Sequence, residues 1–423
     1  MNKIKTTDKS NSLKVRYNKT VLPNGLRIIS EQVPDVESFA LGISVDAGSR
    51  DDYNDREGIA HFIEHSVFRR SSNYSGKQIV SKFESIGAYI NAYTTKEMTC
   101  YYVRALKAHL KECFDLLAEV VFEPAFLEKD INKERSIIIE EIKSYEDDPE
   151  EFIFDIGDGI VFKNHALANS IAGTVDSVKL ISRDDIRNFH NNYYCPQNAI
   201  ISMAGSYDHN ELVELCKEKL INLKPVNFHN TRRIPVNYIP DKISSDKSFQ
   251  QAHLLLITST EGISSKYRYP LAIINSLLGD GMSSRLNQKI REKFGYVYSV
   301  YSTLALMSDS GTLGIYAATE NRRIDKVRDI INNELKNLSE KRIPKTEINR
   351  AKEQLKSSTI MALEGMSARM QALLKSELSF GYNESIEETI RQIDIVNDDI
   401  IAETAKKYLA HENWSEILFI SKD

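Results

Sequence analysis

The sequence predicts an α+β protein built from two homologous domains, each a mainly antiparallel sheet covered by helices. Two observations lead to this fold class. Strand-like segments occur in pairs joined by short turns, whereas helical periodicity is confined to long separate runs, and this segregation is typical of α+β domains. The second half of the chain also repeats the order of elements in the first half, which indicates an internal duplication.

Residues 1–225 are assigned to the first domain, which opens with strands. Residues 20–33 (TVLPNGLRIISEQV) place an Asn-Gly turn signal beside apolar runs, and residues 38–49 (SFALGISVDAGS) alternate in polarity. Residues 89–106 (YINAYTTKEMTCYYVRAL) predict two further strands around a polar turn. Helical periodicity then extends over most of residues 106–195.

Residues 226–245 contain prolines and show little periodicity, so they predict an interdomain linker. Residues 246–423 form the second domain, which repeats a strand, a helix, a strand pair and long helices in that order. Two local matches in the same order support duplication. These matches pair residues 129–139 with 346–356, and residues 182–194 with 397–409. In the second match, Ser182 and Asn397 each precede two aspartates, the pattern of a helix N-cap followed by an acidic first turn.

Composition and charge exclude several classes of partner. The chain has 423 residues and a formal net charge of −5, without the basic patch that nucleic-acid binders carry. No apolar run approaches the roughly 18 residues of a membrane span, and the polar N-terminus, expected to be a disordered tail, lacks the apolar centre of a secretory signal. Four scattered cysteines predict free thiols in a reducing compartment. We therefore expect no nucleic acid and no membrane as partners, and a reducing compartment.

The segment GIAHFIEHSVF carries the strongest chemical signal. His61, Glu64 and His65 are spaced so that they share one face of a helix. Two imidazoles one turn apart can bind one Zn²⁺ ion, and the carboxylate beside them can accept a proton from a water molecule, as in the inverted zincins with an HxxEH motif. The alternative is a buried helix with two satisfied histidines. The apolar surroundings argue against it, because burying these polar groups without a partner is costly.

A catalytic zinc site needs a third protein ligand, and the segment ERSIIIEEIKSYED supplies a candidate. With Ile138 at the centre of the apolar stripe, Glu141 lies roughly 60° and Glu134 roughly 40° away on the same side of the helix. Glu140 lies about 160° away and is predicted to face solvent. Glu141 therefore has the geometry of a metal ligand, and Glu134 that of a carboxylate that orients a ligand or the water. The alternative is that both carboxylates form ordinary salt bridges to Arg135 or Lys143.

Together these segments resemble the pitrilysin/insulinase family of zinc metallopeptidases. The resemblance extends over LPNGLRII, GIAHFIEH, INAYTTKEMTCYY, ERSIIIEEIKSYEDDPEE and LGDGMSSRLNQKIREKFGYVYSV, which stand in family order. It is closest to the small-subunit branch, which includes the β-subunit of mitochondrial processing peptidase and its bacterial relatives. This branch implies a bacterial cytoplasmic location, with the mitochondrial matrix or another organelle as the alternative. The resemblance implies Zn²⁺ at His61, His65 and Glu141, with Glu64 as the general base and Glu134 as a further catalytic-site acid.

The resemblance also implies residues that hold the substrate. Arg291 and Tyr298 match an arginine and a tyrosine that bind substrate and stabilise the oxyanion from the second domain. Without the resemblance, a surface arginine and a packed tyrosine would be the better interpretation. A peptide substrate is expected to add to an edge strand, with an ordinary hairpin strand as the alternative. The residues of this strand are Asn91, Ala92, Tyr93 and Thr94.

The implied protein is a zinc-dependent endopeptidase shaped as a clamshell. The two domains would enclose a chamber that admits unfolded peptides or flexible segments. The branch implies a dimer of identical chains, with the active half of a heterodimer as one alternative and an inactive structural subunit as another. Arg69 and Arg70 stand where the family has other residues and are expected to be solvated surface, with a role in substrate preference as the alternative. Ser358 takes the place of Glu141 in the second half, so one metal site per chain is expected.

Overall fold

The computed structural model describes residues 15–226, 231–235 and 238–422. The first of its two sheets has six strands in the order β1-β2-β6-β3-β5-β4, and the second has five in the order β7-β11-β8-β10-β9. The strands of the first sheet are β1 (Arg16–Val21), β2 (Arg27–Gln32), β3 (Ser38–Val45), β4 (Tyr89–Thr94), β5 (Thr99–Leu106) and β6 (Ala199–Gly205). Those of the second are β7 (Lys242–Lys247), β8 (Ala252–Glu261), β9 (Val297–Leu306), β10 (Ser310–Thr319) and β11 (Ser415–Ser421).

Helices fill the long intervals between the strands. In the first half they are α1 (Ile59–Val67), α2 (Gly76–Ser85), α3 (Leu110–Phe122), α4 (Glu128–Asp147), α5 (Pro149–Val161), α6 (Val175–Leu180), α7 (Arg183–Tyr193) and α8 (His209–Leu220). In the second half they are α9 (Arg268–Leu278), α10 (Ile324–Glu340), α11 (Lys345–Ala362), α12 (Met366–Phe380), α13 (Ile386–Ile395) and α14 (Asp398–Tyr408). Ser182 and Asn397 cap α7 and α14 with their side chains, so the N-cap prediction is confirmed.

The two sheets share one topology, which confirms the predicted duplication and the α+β fold class. The order β2-β6-β3-β5-β4 in the first sheet corresponds to β7-β11-β8-β10-β9 in the second. In each sheet the last strand of its half is inserted between two earlier strands: β6 pairs in parallel with β2, and β11 pairs in parallel with β7. The other neighbours are antiparallel. Periodicity did not predict β6, and β7 begins inside the segment predicted as the linker.

The halves exchange one helix each, and the predicted plan of two separate domains did not include this exchange. Helix α5 of the first half packs on β8 and β11 of the second sheet, and α12 of the second half packs on β2, β3 and β6 of the first. The approach is close: a Cβ placed on Gly157 would lie 2.8 Å from Leu255, and one on Gly42 would lie 2.6 Å from the sulfur of Met370. Each half therefore completes the core of the other.

A buried arginine also joins the two halves. The side chain of Arg50 is 1% exposed, and its guanidinium lies 2.7 Å from the carboxylate of Glu97 and 2.5 Å from that of Asp309. Glu97 belongs to the turn between β4 and β5, whereas Asp309 lies in the turn between β9 and β10. The hairpins that end at the two sheet edges are thus held together by charge-assisted hydrogen bonds.

The remaining sequence expectations concern the N-terminus, the thiols and membrane spans. The polar N-terminal tail, residues 1–14, lies outside the described residues. All four cysteines are buried and free of disulfides, as predicted: Cys100, Cys113, Cys195 and Cys216. Within the described ranges, none of the helices combines the length and the apolarity that a bilayer crossing requires.

Candidate metal centre

Helix α1, which carries the HFIEH residues, begins at a backbone position that only glycine fits well. Gly58 has φ of +92°, and a Cβ there would lie 2.4 Å from the carbonyl oxygen of Ala172. The carboxylate of Asp52 accepts the backbone N–H groups of Gly58 and Ala60 at 2.6 and 3.0 Å. These contacts fix the start of the helix, and so they fix the direction in which its histidines point.

The imidazoles of α1 meet a carboxylate of α4. His61 Nε2 lies 3.9 Å from Glu141 Oε1, and His65 Nε2 lies 3.5 Å from Glu141 Oε2. One donor atom from each residue falls within 4.8 Å of the other two, and among the described residues this is the one such group of three. Ligands around a tetrahedral zinc ion lie about 3.4 Å apart, given bonds of about 2.1 Å. The donor types and separations therefore fit Zn²⁺.

The protonation of the two histidines differs. Burial, assisted by the charge of His65, lowers the pKa of His61 to about 4, so His61 is neutral at neutral pH. Burial alone would lower the pKa of His65, but the hydrogen bond to Glu134 and the charge of Glu141 raise it overall. His65 Nδ1 lies 3.2 Å from Glu134 Oε2. A neutral His65 that donates from Nδ1 leaves Nε2 free toward Glu141, as a metal ligand requires.

Glu64 lies beside this donor group in a cavity of about 370 Å³. The hydroxyl of Thr94, on the edge strand β4, donates a hydrogen bond to Glu64 Oε2. Burial raises the pKa of Glu64, and the Thr94 hydrogen bond opposes this effect without cancelling it. A carboxylate with a raised pKa is a stronger base, so its environment suits it to accept a proton from water.

Glu134 is buried behind His65, with its side chain 2% exposed. Neither Arg135 nor Lys143 is its partner: Arg69 Nε donates to Glu134 Oε1. The prediction that Arg69 is solvated surface is therefore wrong. The reason is that α1 and α4 pack together and bring Arg69 against a carboxylate that would otherwise be buried without a cation.

The two adjacent glutamates of α4 have different surroundings, as helical periodicity predicts. The side chain of Glu140 is 72% exposed and pairs with Lys143, whereas that of Glu141 is 27% exposed and faces the histidines. Tyr145, on the same helix, donates a hydrogen bond from its hydroxyl to Glu141 Oε1 at 2.7 Å. Its spacing of four residues from Glu141 on one helix is the signal that would have identified this contact.

The edge strand β4 forms one wall of the cavity through Ala92, Tyr93 and Thr94. Asn91 does not line it. Its side-chain oxygen instead accepts the backbone N–H of Ala92 at 2.8 Å, and its amide donates to the hydroxyl of Tyr89 at 3.1 Å. Among the strands that the structure describes, β4 pairs with β5 alone, so its other edge can take a further strand.

Arg291 and Tyr298 are not in contact with the metal donors. Both line a second cavity of about 410 Å³ in the other half, where Tyr298 is 82% exposed. The start of α5 lies between the two cavities. Tyr301, which lines the second cavity, donates to Glu150 at 2.6 Å, and the next residue, Glu151, lines the first.

Two acidic residues that line the first cavity were not predicted from the sequence as site residues. Glu151 and Asp155 lie one turn apart on α5 and line the cavity opposite α1. The acidic run EDDPEE after Glu141 was a signal, but α5 can face the metal donors only because it is packed on the second sheet. These carboxylates give that wall of the cavity a negative charge.

Two family models match this chain. The one described as "Insulinase (Peptidase family M16)" matches residues 27–175, which include the histidines and Glu141. The one described as "Peptidase M16 inactive domain" matches residues 180–355, which include Arg291 and Tyr298. The second match begins inside the first half of the chain, and the group of His61, His65 and Glu141 lies in the first match.

Named relatives match over nearly the whole chain. An uncharacterized zinc protease of Mycobacterium leprae is 35% identical over 404 residues, covering 95% of this chain and 91% of that protein. The uncharacterized zinc protease YmxG of Bacillus subtilis is 34% identical, covering 88% and 91%. The structure of a protease from Helicobacter pylori has the same fold, with a TM-score of 0.88 at 20% identity over 96% of this chain and 99% of that chain. This chain belongs to the insulinase family of peptidases, peptidase family M16.

Proposed function

We propose that this protein is a zinc-dependent endopeptidase that cleaves unfolded peptides or flexible segments. The observation that carries the proposal is the meeting of His61, His65 and Glu141 in one cavity, with the carboxylate of Glu64 beside them. The zinc protease names of the relatives support the same activity. The residues that line the cavity all belong to the first half, and the edge of β4 beside them can pair with an extended chain.

His61, His65 and Glu141 would hold the zinc ion, which when bound makes water a stronger acid and polarises the carbonyl group of the substrate. Glu64 would accept the proton of the attacking water and then donate it to the leaving amine. Thr94 keeps the carboxylate of Glu64 oriented toward the cavity by its hydrogen bond. Glu134 would hold His65 in the orientation that presents Nε2.

The substrate chain would be held from both halves. Its backbone can pair with the open edge of β4, next to the cavity wall formed by Ala92, Tyr93 and Thr94. Arg291 and Tyr298 would contact the chain where it extends past α5 into the second cavity. Both parts belong to one polypeptide, which supports a self-sufficient enzyme, and we expect it to be a homodimer in solution.

Chelation is expected to abolish the activity of the purified chain. A mixture of fluorogenic peptides should be hydrolysed by the protein as isolated and not after treatment with a metal chelator, because the metal donors would then hold no ion. Addition of Zn²⁺ at one equivalent should restore the rate. A protein that contains zinc and hydrolyses none of the peptides would contradict the proposal and favour a structural subunit.

The expected homodimer is tested separately, by size-exclusion chromatography with light scattering on the same sample.

The negative wall of the cavity is expected to favour a basic side chain near the cleaved bond. Replacing Glu151 and Asp155 together by Gln and Asn should lower kcat/KM for an arginine-containing peptide by up to about fivefold, because the single partly exposed ion pair that one arginine forms contributes up to about 1 kcal/mol. An otherwise identical peptide with alanine in place of arginine is the control and should change little. Equal losses for both peptides would show that these carboxylates do not select the substrate.

A further inference from the structure

Arg69 connects the surface of the protein to the donor group through one buried carboxylate. It lies two residues after the end of α1, and its side chain is 35% exposed. The two oxygens of Glu134 are divided between two partners: Oε1 accepts from Arg69 Nε, and Oε2 lies 3.2 Å from His65 Nδ1. His65 Nε2 in turn faces Glu141 at 3.5 Å. The contacts form a chain from Arg69 to the metal donor atoms.

Glu134 is buried, so its ionised form depends on a cation partner. Its side chain is 2% exposed, and a carboxylate buried to this extent is destabilised unless it is paired. Among the described residues, Arg69 is the one arginine or lysine within 4.0 Å of it. Without Arg69, Glu134 would be stable only if it turned toward solvent or took up a proton. Either change weakens its hydrogen bond to His65.

We propose that Arg69 is a positioning residue of the metal centre, which acts by holding Glu134 and, through it, the ring of His65. This inference rests on the proposed function, in which His65 binds Zn²⁺ through Nε2. Arg69 fixes one carboxylate oxygen, so the other stays directed at Nδ1 and His65 keeps its proton on that nitrogen. Carboxylates that orient a metal-binding histidine in this way typically contribute 10- to 100-fold to metal affinity.

Arg70 provides a matched control for the rival explanation that Arg69 merely tethers α1 to α4. Arg70 Nε lies 3.2 Å from Asp130 on the same helix α4, and the side chains of the pair are 33% and 22% exposed. Both arginines therefore link the same two helices and have nearly the same exposure. Only the partner of Arg69 touches a metal donor. If Arg69 were only a tether, replacing either arginine would have the same effect on zinc binding. If Arg69 positions the metal centre, only its replacement weakens zinc binding.

The test measures the dissociation constant of Zn²⁺ by chelator competition on the full chain. Arg69→Gln is expected to weaken zinc binding by about 10- to 100-fold, and Arg70→Gln by less than about twofold. Without metal, Arg69→Gln should also unfold at a lower temperature than Arg70→Gln, because it leaves the buried carboxylate of Glu134 without its cation, whereas Asp130 is partly exposed. Zinc affinity is therefore compared at a temperature where both metal-free variants are folded. If Arg69→Gln does not fold, Arg69→Lys carries the test against Arg70→Lys. Lysine keeps the charge without the planar fork, so a weakening of roughly threefold or more is expected only at position 69.

A double-mutant cycle shows whether Arg69 acts through Glu134. Arg69→Gln should weaken zinc binding little further in a protein that already carries Glu134→Ala, because that change removes the carboxylate through which Arg69 reaches His65. Equal effects at positions 69 and 70, or additive effects of the two changes, would overturn the inference while leaving the proposed function intact. A wild-type protein that binds no zinc would overturn both.

Discussion

Glu141→Gln is expected to weaken zinc binding by more than about 100-fold, whereas Glu140→Gln should leave it unchanged. Glu141 faces both histidines, and its removal deletes an anionic donor, which costs more than the 10- to 100-fold typical of residues that only orient a ligand. The neutral amide keeps the size of the side chain but is a poorer ligand for Zn²⁺. Metal content after dialysis and chelator competition measure the effect, and peptidase activity should fall with zinc occupancy.

Glu140 is a closely matched control for Glu141. Glu140 differs from Glu141 by one position on the same helix, so the two variants share their backbone setting and their change of charge. Glu140 is 72% exposed and paired only with Lys143, so its loss should change the free energy of unfolding by less than about 1 kcal/mol. Equal zinc retention in both variants would exclude Glu141 as a ligand and with it the proposed metal centre.

Glu64→Gln is expected to lower kcat by about 10²- to 10⁴-fold while zinc stays bound. The side-chain amide can still accept the hydrogen bond of Thr94, so the local structure is retained, but it cannot take a proton from water. The loss should therefore appear in kcat, with KM and zinc content within about twofold of wild type. Fluorogenic peptide assays measure kcat and KM, and metal analysis of the same preparation measures the zinc content.

A distant exposed glutamate provides the control for Glu64. Glu84 lies on α2 and is exposed, so Glu84→Gln should leave kcat, KM and zinc content unchanged. If Glu64→Gln kept most of its activity, another group would have to accept the proton. If instead it lost zinc, Glu64 would be part of the metal site and its role as a base would be unsupported.

The spacing of a few residues was enough to predict much of the candidate site. His61, Glu64 and His65 share one helix face because they are three and four positions apart, and Glu141 faces the same site because it falls beside the apolar stripe of α4. The partners of these residues were not predictable in the same way. Arg69 meets Glu134, 65 positions away, only because α1 and α4 pack together.

The α+β class, the duplication, the paired strands and the residue types of the candidate metal ligands could be predicted from the chain, since these depend on local periodicity and short spacings. The packing of α5 on the second sheet and of α12 on the first became known from the structure. The same is true of the insertion of β6 and β11 between earlier strands. The structure also placed Glu151 and Asp155 in the cavity and Arg291 with Tyr298 in another. The physical reason is that burial between distant segments depends on which surfaces meet in space, and no local pattern in the chain specifies that choice.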